Sequence, residues 1–585
     1  MNKFQLLYGR LLGDVGTVFY LSVLIIAGFV TVAALFPDDV ERVANQVLDY
    51  TANKMGWMYL LATSGFVIFI LFLGLSKFGN IRLGPDEEPP EFSFKSWLAM
   101  IFSGGMGVGL VFWGVAEPMM HFNEPPLGLD EPRTAEAAQT GMRYAFFHWG
   151  LHQWANFALV GLAIAYIRFR HNARGLISET FRPMLGNRVD GGWGVAIDTL
   201  AVVSTIFGVA TTLGLGALQI NSGVARFEGI EYGTSTQMMI IAGLGVLFTI
   251  SAMTPLKAGI RYLSNLNMII AIGLFLYVIL FGPTAFIFQE FTQTMGEYLG
   301  NIVQMSLVTT PYSSEHWVEQ WTMFYWAWGL SWAPFVGSFI ARISRGRTIR
   351  EFVLGVMIVP VGLSMLWFAA FGGSAIHLEL YEAAGIADAV AREVPAGLYT
   401  TLEQMPWGTY AGLAAIALVC VFVITSADSA TFVLGMFTSK GVLNPTRFVR
   451  VLWGLLQLSM AIVLLLSGGL EGLRTVSIIA AFPFMLLMVL MAFALHRDLT
   501  QEFWQREEKE RLIRQRIENL LLRESEREAE RAAAEEVHPS APDTVLGPEE
   551  PPRVGLGDHS EMPGDTPKPN TEPTPGGSRN SDSTH

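Results

Sequence analysis

Stretches of about twenty apolar residues recur through most of this chain. A segment of that length crosses a bilayer as a helix, because in hydrocarbon the backbone must satisfy its hydrogen bonds internally. Twelve can be marked, near 16–36, 57–76, 97–117, 144–167, 193–221, 237–254, 266–289, 317–341, 351–375, 409–437, 448–468 and 473–495. Of the 585 residues 51% are hydrophobic and 15% charged, a balance that a soluble domain with a charged surface does not show. The expected fold class is all-α integral membrane, with twelve transmembrane helices.

The loops test this count. With Lys3 and Arg10 cytoplasmic, even-numbered spans lead into loops carrying Arg168, Arg170, Arg174, Arg182 and Arg188, then Lys257 and Arg261, then Arg342, Arg345, Arg347 and Arg350. The alternate loops carry Asp38, Asp39, Glu41 and Asp49, then Glu290, Glu297, Glu315 and Glu319, then Glu379, Glu382, Asp388 and Glu393. This places the protein in the cell (plasma) membrane as a multi-pass chain, both termini cytoplasmic. No cleavable signal is expected, since the first apolar stretch is long enough to span. The single cysteine, Cys420, excludes an intrachain disulfide, and the net charge of −13 gives no reason to expect nucleic acid as a partner.

Four regions follow: an N-terminal segment with two accessory spans (1–96), a core (97–496), a charged cytoplasmic helix (497–538) and a disordered tail (539–585). In the charged run Glu and Arg alternate at spacings suited to i,i+4 pairing, while the tail has too little apolar surface to offset chain entropy. The run reads either as a solvated helix or as a sensor of ionic strength, since surface electrostatics are screened over about 8 Å at physiological salt. Residues 291–307 have the pattern of an amphipathic helix.

Two spans are unusual inside. The third contains Ser103, Gly104, Gly105, Met106, Gly107, Val108 and Gly109; the eighth contains Gly329, Pro334 and Gly337 in a dense aromatic run. Interrupted backbone at membrane depth is tolerated only where protein or a hydrated cavity supplies partners, so both spans are expected to break and both breaks to face inward. The spans are five apart, as expected of the first helices in two five-helix inverted repeats (spans 3–7 and 8–12) with substrate between them. The architecture defines a secondary transporter for a small solute.

In the eighth span Trp321, Tyr325, Trp328, Trp332, Phe335 and Phe339 recur at spacings of four and three, on one face; the fourth adds Trp149, Trp154 and Phe157. Aromatics at such spacing usually serve packing or interfacial belts. Continued through mid-span, they also suit a cage for a quaternary ammonium, which offers no hydrogen-bond donor. In the tenth span Phe422, Thr425 and Ser426 can supply oxygens to a hard cation, although such hydroxyls commonly bond back to their own helix. Asp428 and Asp198 are each a proton carrier or a structural acid. His148 and His152, at i,i+4, raise a metal-dependent membrane enzyme as a competing class, with no third ligand evident at useful spacing.

The segments Gly105-Met106-Gly107-Val108-Gly109 with Phe112-Trp113-Gly114, His148-Trp149-Gly150 followed by Trp154, and Trp321 through Arg350 closely resemble the betaine/carnitine/choline transporter family, over roughly Asp14 to His496. The resemblance implies the twelve-helix inverted-repeat fold, usually as a homotrimer, and a carrier rather than an enzyme, with no cofactor beyond a coupling ion. It implies substrate binding by Trp149, Trp154, Phe157, Trp328 and Trp332, with Met106, Gly107 and Gly109 at the break. It implies a sodium site from Thr425 and Ser426 with carbonyls of Phe422, Ser103 and Met106. A second sodium site would use a hydroxyl pair in the fifth span, where Thr205 is followed four residues on by Val209. Where many members carry a further cage tryptophan this chain has Gly329, so either room for a bulkier substrate or a displaced cage is expected there. The expected function is sodium-coupled uptake of a betaine-type osmolyte by alternating access. The alternative is a proton-coupled or ion-independent choline- or carnitine-type carrier or exchanger of the same fold.

Overall fold

The computed structural model describes residues 12–105, 107–253, 259–312 and 316–536; of 103, 252–253, 259–261 and 535–536 only the backbone is described. The helices that position the site are α1 (Thr17–Leu35), α2 (Pro37–Leu75), α3 (Phe94–Gly105), α4 (Val108–Asn123), α5 (Ala135–Trp149), α6 (Leu151–Ala165), α7 (Gly192–Glu228), α8 (Thr234–Met253), α9 (Gly259–Phe281), α10 (Thr284–Ser306), α11 (Phe324–Ile343), α12 (Ile349–Met357), α13 (Val359–Glu382), α14 (Gly408–Thr438), α15 (Arg447–Leu466) and α16 (Gly469–Glu536). Among the described residues there is no β-strand, and nine helices are long and apolar enough to cross a membrane. The third and fourth expected spans fall short of that length because each is divided, at the non-helical Gly107 and at Gly150.

Local chemistry sets the ends. Pro37 begins α2 with Asp38 and Asp39 in its first turn, where a missing N–H costs nothing and negative charge meets the positive end of the helix. Thr348 and Glu351 form a reciprocal capping box on α12, and Gly229 closes α7 in the left-handed conformation at φ 70°. The expected amphipathic segment 291–307 lies largely within α10, whose buried Tyr298 hydroxyl accepts the Leu151 N–H at 3.1 Å.

The eighth span departs from expectation. Gly329, Pro334 and Gly337 do not break it; α11 runs continuously through all three, preceded by a π-helical turn at Glu319–Met323. Proline removes one backbone donor, and here the helix persists against a close neighbour, α6. A Cβ at Gly337 would stand 2.8 Å from Val160 and 2.9 Å from the Gly161 nitrogen. The small residues bring two backbones together rather than interrupting one.

Several basic loops meet on one face. Arg170 pairs with Asp86 at 2.8 Å and with Glu502 at 2.7 Å, Arg345 with Glu88 at 2.8 Å and Arg342 with Glu91 at 3.1 Å. The segments following the second, fourth, eighth and twelfth marked stretches thus converge, as alternating loops require. The chain divides into two compact units, residues 1–508 and 509–585. In the second, residues 509–534 are helical and exposed, with an Arg514–Glu510 pair at 3.6 Å; the expected tail, 539–585, lies outside the described residues.

Candidate functional site

Among the described residues, the glycine-rich mid-span interruption lies between α3 and α4 and passes among four tryptophan rings. A Cβ at Gly105 would lie 2.4 Å from the tip of Trp154; at Gly109 it would lie 2.2 Å from Trp328 and 2.9 Å from Trp149. At Gly107 the nearest atoms are the Trp332 tip at 3.6 Å and the Ser426 Oγ at 3.9 Å. Gly107 is extended at φ −152°, so what glycine supplies here is close approach of backbone to aromatic rings rather than a left-handed turn. The structure therefore brings Trp149, Trp154, Trp328 and Trp332 to the same few residues of backbone. Met106 lies outside the described residues, and the side chain of Ser103 is not described.

Trp149, Trp328 and Trp332 form a connected wall, and Trp154 pairs separately with Phe157. Trp149 meets Trp328 edge to face at 6.0 Å between centroids, Trp328 meets Trp332 at 6.1 Å, and Trp154 meets Phe157 at 5.7 Å and 87°. The wall continues along the expected stripe from Trp332 to Phe335 at 5.6 Å and from Trp321 to Tyr325 at 6.2 Å. The Trp328 indole donates to the Gly208 carbonyl at 3.3 Å, tying α11 to α7. The Trp332 indole nitrogen and the Asn156 amide, both buried, have no hydrogen-bond partner among the described residues. Such a surface presents π faces with a few unspent polar atoms, which suits a compact cation or zwitterion.

Gly329 does not leave the expected room. A Cβ there would lie 2.2 Å from the Gln153 Oε1, so the volume of a side chain at 329 is taken by Gln153 from α6.

Thr425, Ser426 and Phe422 sit on α14 opposite the break. The Thr425 hydroxyl donates to its own helix, to the Val421 and Phe422 carbonyls at 2.9 and 3.1 Å, and accepts from the Asn267 amide of α9 at 2.9 Å. Ser426 faces Gly107. Thr205 donates to the Ala201 carbonyl at 2.7 Å. The Asp198 carboxylate accepts the Ser178 N–H and Oγ–H, both at 2.8 Å, and so ties the turn before α7 to that helix. Asp428 accepts from Ser251 of α8 at 2.8 Å.

The histidine pair separates. His152 stacks on Trp326 at 4.6 Å and bonds Ser306 at 2.9 Å. His148 instead joins Glu117 and His121, so a third ligand for it does exist, across helices rather than along one. Glu117 also accepts the Trp149 indole N–H at 2.8 Å, which orients a wall residue. Sequence reading missed Asn267, Glu117, His121 and Gln153. The signal for the first two was available: a lone amide and a lone acid inside apolar spans.

Many helices around an interrupted, aromatic-lined span define a membrane transport protein. The sequence agrees: residues 17–503 match the model of BCCT, the betaine/carnitine/choline family transporter. The chain is 47% identical to the glycine betaine transporter OpuD of Bacillus subtilis over 84% of this chain and 96% of that one. It is 45% identical to the ectoine/hydroxyectoine transporter of Virgibacillus pantothenticus over 83% and 96%. It is 38% identical to the osmo-dependent choline transporter BetT2 of Acinetobacter baylyi over 83% and 71%. The chain belongs to the betaine/carnitine/choline transporter family and is a transporter, not an enzyme.

Proposed function

We propose that this protein takes up a betaine-type osmolyte, coupled to sodium, by alternating access of a site at the α3–α4 break. The observation that carries this reading is the convergence of Trp149, Trp154, Trp328 and Trp332 on Gly105, Gly107 and Gly109. The relatives are named for glycine betaine, ectoine and choline transport. These solutes share a compact positively charged, nitrogen-centred group, which aromatic faces hold at about 0.5–2 kcal/mol each. Phe157 backs Trp154, and the substrate carboxylate is met by backbone at Gly107, which is extended, together with Met106.

Sodium is the second substrate. The Thr425 and Ser426 hydroxyls with carbonyls from Phe422, Ser103 and Met106 form its site, and an ion there draws α14 toward the break. Thr425 retains a lone pair beyond its bond from Asn267. Each charge moved inward gains about 2.3 kcal/mol per 100 mV, enough for more than tenfold accumulation. We place both termini in the cytoplasm, the repeats at spans 3–7 and 8–12, and the protein as a homotrimer in the cell membrane; cross-linking in native membranes tests the last.

The deciding experiment is uptake of labelled glycine betaine, ectoine, choline and carnitine by reconstituted vesicles, with an inward sodium gradient or with potassium in its place. Accumulation of at least one solute only with sodium is expected. Equal transport in both salts would refute sodium coupling and favour exchange or protons.

A further inference from the structure

We propose that Glu117, His121 and His148 form a binding site for a divalent transition-metal ion of the zinc class, between α4 and α5 and beside the aromatic wall. All three are fully buried, and one ligand atom from each lies within 4.8 Å of the others. The Glu117 Oε1 stands 2.6 Å from the His148 Nδ1 and 3.5 Å from the His121 Nε2.

Two features separate this cluster from an ordinary buried hydrogen-bond set. The first is the arrangement of the outward-facing atoms. Glu117 spends its other oxygen on the Trp149 indole at 2.8 Å, and the His148 Nε2 meets the Thr322 hydroxyl at 3.0 Å. Outer bonds of this kind orient the ligands of a metal and leave Oε1 and Nδ1 pointing at each other. The second is His121: neither ring nitrogen has a hydrogen-bond partner of good geometry among the described residues, although the side chain is wholly buried. A buried imidazole in that state calls for a partner, and an ion is one that would satisfy it.

The charge balance agrees. Among the described residues the ion pairs of Glu117 are with the two imidazoles alone, and the guanidinium of Arg474, which stands 4.7 Å from the Trp321 ring beside His121, is paired with Glu471 at 3.0 Å. A carboxylate in a dry site needs a cation, and imidazole with carboxylate is a donor set suited to zinc. Ligand atoms around a tetrahedral zinc lie about 3.3 Å apart. The Glu117–His121 separation already suits this, and the Glu117–His148 contact opens by about 0.7 Å through a small turn of the ring. Water takes a fourth position. Because His121 and Glu117 lie on α4 and His148 on α5, the ion fastens the two helices and fixes Trp149 through Glu117.

The test uses the full-length protein, purified, stripped with chelator and incubated overnight with cobalt(II), a paramagnetic probe that quenches nearby tryptophans. The His121 ring centre is 4.3 Å from that of Trp321 and 5.4 Å from that of Trp317. Saturable quenching at one site per chain, reversed by zinc and by EDTA, is expected. Its midpoint should rise at least about tenfold in His121→Phe, which keeps ring volume and removes no hydrogen bond, and in His148→Ala. His316→Ala, at an exposed histidine nearby, should leave it unchanged. Absence of saturable quenching overturns the proposal, as does quenching that survives His121→Phe or is lost in His316→Ala.

Discussion

Gly109→Ala adds a single methyl group and should disable substrate binding. Its Cβ would stand 2.2 Å from Trp328 and 2.9 Å from Trp149. Carbon atoms settle at about 3.5–4.0 Å, so the two rings must withdraw by at least about 1.3 and 0.6 Å. Trp328 is held by its bond to the Gly208 carbonyl and Trp149 by its bond to Glu117, so neither gives way freely. Overpacking of this kind costs about 1–3 kcal/mol of stability. If both rings leave a cation they each hold by about 0.5–2 kcal/mol, the dissociation constant rises between about fivefold and several-hundredfold. Calorimetric titration of purified wild type and variant with the solute identified by uptake measures it, with size-exclusion after heating as the control for folding. Gly107→Ala is the matched comparison: its nearest ring atom would be at 3.6 Å, an ordinary contact, and its thermal stability should stay near wild type. A folded Gly109→Ala that binds within twofold of wild type would refute the view that these glycines exist to admit the rings.

Other residues give separate outcomes. Thr425→Val, isosteric but without the hydroxyl, should abolish sodium stimulation of uptake while the protein remains folded; unchanged sodium dependence would remove the α14 site. Gly329→Trp should destabilise the protein by collision with Gln153, and Gln153→Gly in the same chain should restore it; failure of the double variant to recover on size-exclusion would show that Gln153 is not the obstacle. Asp198→Ala strips two acceptors from the Ser178 turn and should cost about 2–4 kcal/mol in stability, read by heating and size-exclusion; a stable variant that has lost only ion coupling would make Asp198 functional instead.

The parts of this molecule that were legible in sequence are those in which one residue type repeats against a contrasting background. Apolar stretches, the glycine run and the aromatic stripe are patterns along the chain, and the structure turns the last two into one object by laying Gly105, Gly107 and Gly109 against four tryptophans. The failures share a cause as well. Glycine and proline in the eighth span read as a break because their local effect is to weaken a helix, yet Gly337 and Gly161 serve contact between α11 and α6, which no single segment discloses. Likewise a missing side chain at 329 reads as space until its neighbour is known to be Gln153. Asn267 reaches Thr425 and Glu117 reaches His148 across helices, so neither pairing has a spacing to recognise.

The contrast between the two aromatic-bearing spans constrains how such a carrier moves. α6 and α11 approach to backbone contact at Gly161 and Gly337, a tight apposition that gives them little freedom to slide. The α3–α4 segment is anchored differently. Its glycines touch ring tips rather than backbone, Ser426 approaches Gly107 from α14, and Trp367 of α13 donates to the Leu110 carbonyl at 3.0 Å. Edge contacts and single hydrogen bonds can be exchanged at modest cost, whereas an interlocked glycine seam cannot. Under the proposed alternating access, α6 and α11 therefore move as one body that carries Trp154, Trp328 and Trp332, and the break is where that body parts from α13 and α14. A disulfide engineered between positions 107 and 426 should accordingly arrest uptake until a reductant releases it; uptake that survives the cross-link would place the moving boundary elsewhere.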